Sequence, residues 1–286
     1  MSRNGSFVGS IVAAAGHRKR VWAAQAVGNL VLGALFYGWL RIPDQSGWQF
    51  AATLMLGGVI AAGVLALQGG TLVYFRDAHS GEDARLRRGC RVALSHWLPM
   101  AFWTALALTL LWLVVQAWDY NAQFAGWLRH LLPGFLRRGV SVRFVDAHLD
   151  MVTWFCAWVL LPAVLLPLAA QVANDGWRGF VRRDVLRALA TLRYWVLAVV
   201  LILAGGPLAL WIARHASQDP SSTVQAASMA VRFVLAYLLK VTAWVLFCSL
   251  LGWLGRRPGP EETVEVREPV GVSPPARQAR AAADPE

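Results

Sequence analysis

The sequence predicts an all-α, polytopic membrane protein whose six transmembrane helices form three hairpins in a parallel repeat. Two observations lead to the membrane assignment. Of the 286 residues, 57% are hydrophobic and only 15% are charged, which is too apolar for a soluble domain of this length. Apolar runs of spanning length occur six times, and a helix satisfies its own backbone hydrogen bonds within a bilayer.

The six spans are predicted at residues 21–40, 48–75, 97–118, 151–172, 194–213 and 229–254. A run of about 20 apolar residues crosses a hydrocarbon core of about 30 Å as a helix. The tryptophans near the proposed span ends are Trp22, Trp39, Trp48, Trp97, Trp118, Trp154, Trp195, Trp211 and Trp253. Because indole rings favour the membrane interface, this aromatic belt supports the proposed ends.

The distribution of basic residues predicts the orientation of the spans. With alternate segments assigned to opposite sides, 19 Lys and Arg residues fall on the side that holds both termini and 6 on the other. Basic residues accumulate in cytoplasmic loops, so both termini are predicted to be cytoplasmic, with residues 1–20 as a basic segment before an uncleaved first span. Arg outnumbers Lys 25 to 2, which is typical of GC-rich bacteria, and the predicted location is therefore a bacterial inner membrane.

Two predicted cytoplasmic loops, residues 86–94 and 181–189, resemble each other at an offset of 95 residues. In each, apolar residues recur at helical spacing with arginines between them, which predicts short basic amphipathic helices on the inner leaflet. Residues 11–20 would be a degenerate third copy. The arginines either contact anionic lipid head groups or only fix the topology; they are Arg87, Arg88, Arg91, Arg182, Arg183 and Arg187.

Two segments lie outside the predicted spans. Residues 119–150 form an external amphipathic loop, expected to pack on the outer membrane surface and to turn at Pro133-Gly134. Residues 255–286 are rich in Pro, Glu, Arg and Ala, which predicts a disordered cytoplasmic tail.

An enzyme is the least supported class of function. The sequence contains none of the nucleophile, phosphate-binding or dinucleotide-binding motifs in a usable context, and no cofactor or metal is predicted. A membrane enzyme would require four residues to converge at the outer face, namely His130, Asp146, His148 and Asp150. Nucleic-acid binding is not expected, because the basic residues lie in short loops between apolar spans.

The fifth span contains Gly205-Gly206-Pro207 near its middle. Proline cannot donate the helical hydrogen bond and clashes with the carbonyl of Leu203, so this helix is expected to be kinked or interrupted. Such breaks expose backbone groups to substrate in transporters. They also occur in helices that are simply packed against neighbours, and Pro162 and Pro167 in the fourth span can be interpreted in the same two ways.

Lys240 is the residue that most strongly suggests function, because it lies within the last apolar span while no Asp or Glu lies in any span. An ammonium group in hydrocarbon needs water, an acceptor or a counterion. It could line a cavity, extend toward water at the outer boundary, or donate to the Leu203 carbonyl. Asn29, well inside the first span, is expected to form an interhelical hydrogen bond.

Three functional hypotheses follow. The first is a non-enzymatic membrane component, such as a scaffold, accessory subunit or lipid-organising protein, with a closed bundle that has no central polar cavity. The second is a transporter of a small anion or amphiphile through a cavity lined by Lys240, Asn29 and residues 205–207. The third is the outer-face enzyme. The expected partners are the bilayer, with anionic lipids at its cytoplasmic face, and a membrane protein.

Overall fold

A computed structural model describes residues 7–43, 45–181, 189–215 and 222–256, and every regular element within them is a helix. We number these helices α1 Phe7–Gly16, α2 Lys19–Trp39, α3 Gly47–His79, α4 Leu86–Ser95, α5 Trp97–Trp118, α6 Asn121–Leu131, α7 Gly134–Arg137, α8 Val142–Phe180, α9 Leu192–Arg214 and α10 Ser222–Leu254. Six of them, α2, α3, α5, α8, α9 and α10, are long and apolar enough to cross a membrane. This confirms the six-helix prediction.

Five of the six helices are longer than the predicted spans, three of them by five residues or more. Helices α3 and α10 have 33 residues each and α8 has 39, and 33 residues extend about 50 Å at 1.5 Å per residue. The last residues of the predicted external segment belong to α8, which starts at Val142 after Ser141 accepts a hydrogen bond from the Phe144 amide. The rest of that segment forms α6 and α7, and Pro133 lies between them, at the predicted turn.

Three spanning helices contain a π turn. These turns are Leu65–Gly69 in α3, Cys156–Leu160 in α8 and Ala204–Leu208 in α9. Pro207 lies inside the third turn. The prediction allowed either a kink or an interruption at this proline, and α9 is not interrupted there. A π turn inserts an extra residue into the helix, which lets the chain continue past a residue that cannot donate the usual bond.

The second half of α3 forms the centre of the packed bundle. Residues from Gly70 to Phe75 are buried, and so is Asp77. Helices α1, α4, α8 and α10 all contact this segment. The buried part of α10, from Val241 to Gly252, lies at the same end of the bundle. We call this end, which also contains α1 and α4, the basic end.

Glycine permits the closest helix contacts at the basic end. A Cβ atom on Gly89 of α4 would overlap the carbonyl oxygen of Gly70, and one on Gly252 of α10 would lie 2.5 Å from the carbonyl carbon of Phe75. These distances place backbone directly against backbone on two sides of α3. Small residues are the usual means of such close approach between membrane helices.

The first of the two segments predicted as amphipathic helices is helical, as α4, and its buried residues are Gly89 and Ala93. Leu86 and Cys90 are half-buried, whereas Leu94 is 42% exposed. Gly89 and Ala93 are small enough to let α4 pack directly on α3. The three arginines of α4, Arg87, Arg88 and Arg91, are accessible, although Arg88 also pairs with Glu82 at 3.5 Å.

Other predicted features lie outside the described residues. These are Arg182, Arg183 and Arg187 of the second amphipathic segment, and the tail from residue 257 onward. Residues 11–20 include the end of α1, whose Ile11 and Ala15 are buried. The Ser249 hydroxyl of α10 donates to the Ile11 carbonyl at 3.0 Å, so α1 is docked on the bundle.

We predict that Gly89→Ala destabilises the protein, because the added methyl group has no space against the backbone of Gly70. Overpacking of this kind costs about 1–3 kcal/mol, which should lower the midpoint of thermal unfolding in detergent, followed by fluorescence-detected gel filtration. The matched control is Gly33→Ala, since a Cβ atom at Gly33 meets nothing within 4 Å. Equal midpoints for the two variants would contradict this account of the α3–α4 contact.

Candidate ligand cavity

A cavity of about 570 Å³ lies between α2, α3, α8, α9 and α10. Its walls are mainly apolar, with Leu166, Leu201 and Phe247 among the lining side chains. The polar groups that line it are those of Asn29, Gln68, Tyr237, Lys240 and Trp244. This size and this mixture of many apolar and few polar groups are typical of small-molecule sites.

The cavity brings together three of the residues singled out from the sequence. Lys240, Asn29 and Gly205 all line it, whereas Gly206 and Pro207 do not belong to its lining. Two of the π turns border it, because Gln68 and Gly205 belong to the turns of α3 and α9. Three spans that are distant in the sequence, the first, fifth and sixth, thus meet at one site.

Helix α9 approaches α10 beside Lys240. A Cβ atom on Gly205 would lie 2.8 Å from the Cβ atom of Ala243 and 3.8 Å from the Lys240 carbonyl oxygen. On the other side, the Tyr237 hydroxyl donates to the carbonyl of Ala26 and so connects α10 to α2. The turn of α10 that contains Lys240 is therefore fixed by contacts with two neighbouring helices.

Lys240 itself remains accessible within the structure. Its ammonium group makes no hydrogen bond or ion pair with any residue in the described ranges. Of the three predicted arrangements of Lys240, the bond to the Leu203 carbonyl is therefore not formed, and the π turn of α9 begins directly after Leu203. A cation without a counterion among the described residues therefore lies at the wall of a mainly apolar cavity.

A chain of hydrogen bonds joins α2 to α3 below the cavity. The Thr71 hydroxyl donates to the Leu67 carbonyl at 2.7 Å and accepts from Gln25 Nε2 at 2.6 Å. Asn29 Nδ2 donates to Gln25 Oε1 at 2.9 Å, and Asn29 Oδ1 accepts from Gln68 Nε2 at 2.9 Å. We call these four side chains the amide relay. Asn29 thus makes the interhelical bond expected of it.

The direction of the amide relay is fixed from its Thr71 end. The Thr71 hydroxyl donates its proton to the Leu67 carbonyl. The Thr71 oxygen must therefore accept a hydrogen bond from the Gln25 amide nitrogen. Gln25 then presents its oxygen to Asn29, and Asn29 presents its oxygen to the nitrogen of Gln68. Gln68 Oε1 is therefore an acceptor at the end of the relay, and it is buried without a partner.

Trp244 has the complementary feature. Its indole Nε1 is also buried without a hydrogen-bond partner, and an indole nitrogen can only donate. Within the described residues, four buried side-chain polar atoms have no partner, and two of them belong to residues that line this cavity. A buried polar group without a hydrogen-bond partner costs about 1–3 kcal/mol, so a ligand that supplied partners to Gln68 and Trp244 would offset that cost.

Sequence reasoning missed Gln68, Tyr237 and Trp244. Gln25 and Asn29 are four residues apart and Gln68 and Thr71 are three apart, so each pair lies on one face of its helix. Two short polar stripes in consecutive apolar spans indicate helices that hydrogen-bond to each other. That signal predicts the relay, but the position of Trp244 beside it depends on how α10 packs.

Two residues of the hypothetical outer-face enzyme, Asp150 and His148, have other contacts. Asp150 accepts hydrogen bonds from Trp118 Nε1 at 2.8 Å and Asn121 Nδ2 at 3.0 Å. His148 Nδ1 lies 2.7 Å from the Phe144 carbonyl, one turn earlier in α8. The described part of the chain contains no group of three or more His, Cys, Asp or Glu residues that could hold a metal ion.

Charged groups at the basic end hold helices together. Arg76 lies 3.1 Å from the buried carboxylate of Asp77 and 3.8 Å from that of Asp175 in α8. His79 Nε2 is 3.1 Å from the Ser249 hydroxyl of α10. Burial raises the pKa of the Cys90 thiol in α4, so this cysteine stays protonated and is a poor nucleophile.

Comparison with protein-family models, with curated proteins and with solved structures finds no match. The class of the protein therefore rests on its own features. Within the described residues it is an all-helical protein with six helices long and apolar enough to cross a membrane.

We predict that Asn29→Leu destabilises the bundle, because it leaves Gln25 Oε1 and Gln68 Nε2 without their partner. Interhelical hydrogen bonds of this kind contribute about 0.6–1.7 kcal/mol, measurable by reversible unfolding in sodium dodecyl sulfate. Thr109→Val is the control, since the Thr109 hydroxyl bonds only within its own helix, to Ala105 at 2.9 Å. If the two variants unfold alike, the amide relay does not stabilise the α2–α3 pair.

Proposed function

We propose that this protein binds an amphiphile with an anionic head group in the cavity between α2, α3, α8, α9 and α10 and carries it across the membrane. The observation that carries the proposal is the position of Lys240, a cation without a counterion among the described residues, at the wall of a mainly apolar cavity of about 570 Å³. The sequence-based hypothesis of an anion or amphiphile transporter is thereby favoured over a scaffold, which would have a closed bundle.

The apolar walls favour an amphiphile over a small inorganic ion. A hydrated anion that entered the cavity would exchange its water for side chains such as Leu201 and Phe247, which offer no hydrogen bonds. An acyl chain gains free energy from the same walls, about 0.8 kcal/mol for each buried methylene group. The polar groups are few, so they suit a compact head group on a larger apolar body.

The charge of Lys240 favours an anionic head group. Lysine within an apolar helix is costly unless it is hydrated or paired, and this one has neither a carboxylate nor a carbonyl partner in the described ranges. An anionic oxygen would offset that cost and form a charge-assisted hydrogen bond. Arg232, the other basic residue of α10, does not line the cavity and donates instead to the Ser228 carbonyl at 3.0 Å.

The irregular turns beside the cavity support movement of the ligand. Gln68 and Gly205 are both in π turns, and such turns are frequent at functional sites in helices. A helix with an irregular turn has an alternative hydrogen-bond register within reach. Transporters place interrupted helices next to their substrates, and the π turns of α3 and α9 provide a comparable arrangement beside the cavity.

A three-hairpin repeat with a cytoplasmic basic end remains part of the proposal. Gly81 and Gly176, 95 residues apart, both have positive φ, 75° and 59°, and α5 and α9 begin at Trp97 and Leu192, the same offset. This shared spacing supports duplication of a helical hairpin. The accessible arginines of α4 support contact with anionic lipids at the inner leaflet.

We predict that the protein, reconstituted in phosphatidylcholine vesicles, moves acyl-labelled NBD-phosphatidylglycerol between leaflets faster than NBD-phosphatidylcholine with the same acyl chains. Dithionite reduction of the outer leaflet measures the rate. Lys240→Met should lower the phosphatidylglycerol rate at least about tenfold, because a hydrogen bond to a charged group contributes about 1.5–3 kcal/mol. Lys240→Arg should retain most of the rate, since it keeps the charge.

The control is Arg232→Gln, which removes a positive charge from the same helix at a site that does not line the cavity. It should leave the rate unchanged. Gel filtration and the midpoint of thermal unfolding establish that each variant is folded. An unchanged rate in folded Lys240→Met would overturn the proposal.

A further inference from the structure

Two unpaired atoms, Gln68 Oε1 and Trp244 Nε1, restrict the chemistry of the head group further than the charge of Lys240 does. Gln68 ends the amide relay with an oxygen that can only accept, and Trp244 presents a nitrogen that can only donate. Both side chains line the cavity. A ligand that pairs with both must bring a hydrogen-bond donor for Gln68 and an acceptor for Trp244.

We infer that the head group is a hydroxyl-bearing phosphodiester, in which an anionic oxygen pairs with Lys240 and Trp244 and a hydroxyl group donates to Gln68. This inference rests on the proposed function and adds the chemical class of its ligand. A phosphodiester oxygen accepts from both an ammonium and an indole N–H group. It has no proton to give at neutral pH, so the donor for Gln68 must be a separate hydroxyl.

The amide relay explains why Gln68 demands a donor. If Gln68 could turn its amide around, its nitrogen could pair with an acidic oxygen and no hydroxyl would be needed. That reversal would set two oxygens against each other at Asn29, because Asn29 Oδ1 already faces the Gln68 nitrogen at 2.9 Å. If the Asn29 amide were reversed as well, its oxygen would face Gln25 Oε1. Gln25 would then have to reverse too, although its nitrogen lies 2.6 Å from the Thr71 hydroxyl.

The Thr71 end of the relay resists such a reversal. Gln25 and Thr71 are both fully buried, so neither can exchange its partner for bulk water. The Gln25 nitrogen also lies 3.4 Å from the Leu67 carbonyl, and Asn29 Nδ2 lies 2.7 Å from the Gln25 carbonyl. Both contacts require the nitrogen at its present position. The relay thus keeps the buried Gln68 Oε1 as an acceptor, on a side chain that lines the cavity.

The test compares three lipids with identical acyl chains. Phosphatidylglycerol and phosphatidylmethanol both have one phosphodiester charge, but only the first has head-group hydroxyls, and phosphatidylcholine is zwitterionic. Their affinities for the purified protein in dodecyl maltoside are measured by displacement of NBD-phosphatidylglycerol. We expect phosphatidylglycerol to bind at least about fivefold more tightly than phosphatidylmethanol, the effect of one additional hydrogen bond.

Two variants assign this preference to residues. Gln68→Met should abolish the preference, so that phosphatidylglycerol and phosphatidylmethanol bind with equal affinity, whereas general damage to the cavity would weaken both lipids and keep the ratio of their affinities. Trp244→Phe should weaken both lipids by the same factor, because both contain the phosphodiester. Equal affinities of the two lipids in the unmodified protein, or a preference that survives Gln68→Met, would overturn the inference.

The outcomes also separate this inference from the proposed function. If both anionic lipids bind equally and both lose affinity in Lys240→Met, the hydroxyl inference fails and the anionic amphiphile remains. If Lys240→Met changes neither affinity, the proposed function fails as well. Soluble glycerol 3-phosphate is added as a competitor, and displacement at the same concentration as the lipid would overturn the assignment of an amphiphile.

Discussion

The contact of α3 with α4 and α10 is the constraint on which the rest of the structure depends. At Gly70 and Phe75 the backbone of α3 meets the backbone of its neighbours, because the facing residues are Gly89 and Gly252. Dispersion forces between closely packed helices replace the hydrophobic effect within a bilayer. The π turn of α3 ends at Gly69, directly before this contact, so the packing at the basic end also fixes the position of Gln68.

The cavity lies where that close packing gives way to polar and irregular elements. A buried amide chain is stable only when each donor and acceptor has a partner, and the relay meets this condition from Thr71 through Asn29. The unpaired oxygen therefore occurs at one end, at Gln68. Within the described residues, Gln68, Trp244 and Lys240 each have a polar group without a partner beside this cavity, which is costly for stability.

Much of the fold was predictable from local properties of the chain, whereas the helix ends and the site were only partly so. Apolar length predicted six spanning helices, but not that α8 would begin at Val142, because its first turns are amphipathic rather than uniformly apolar. The charge of Lys240 and the amide of Asn29 marked them as unusual in apolar spans. Gln68 and Trp244 were missed, because single amide and tryptophan residues are common in membrane helices.

The sequence by itself determined that the chain is helical and apolar enough to cross a membrane six times, and which charged residue an apolar helix would have to accommodate. These properties follow from hydrophobicity and helix geometry, which are local. Only the tertiary structure decided that Lys240 and Asn29 line one cavity with Gln68, that α9 continues past Pro207 through a π turn, and that α4 packs on α3 through Gly89. Those outcomes depend on which helices are neighbours and how closely their backbones approach, and such contacts join residues far apart in the chain.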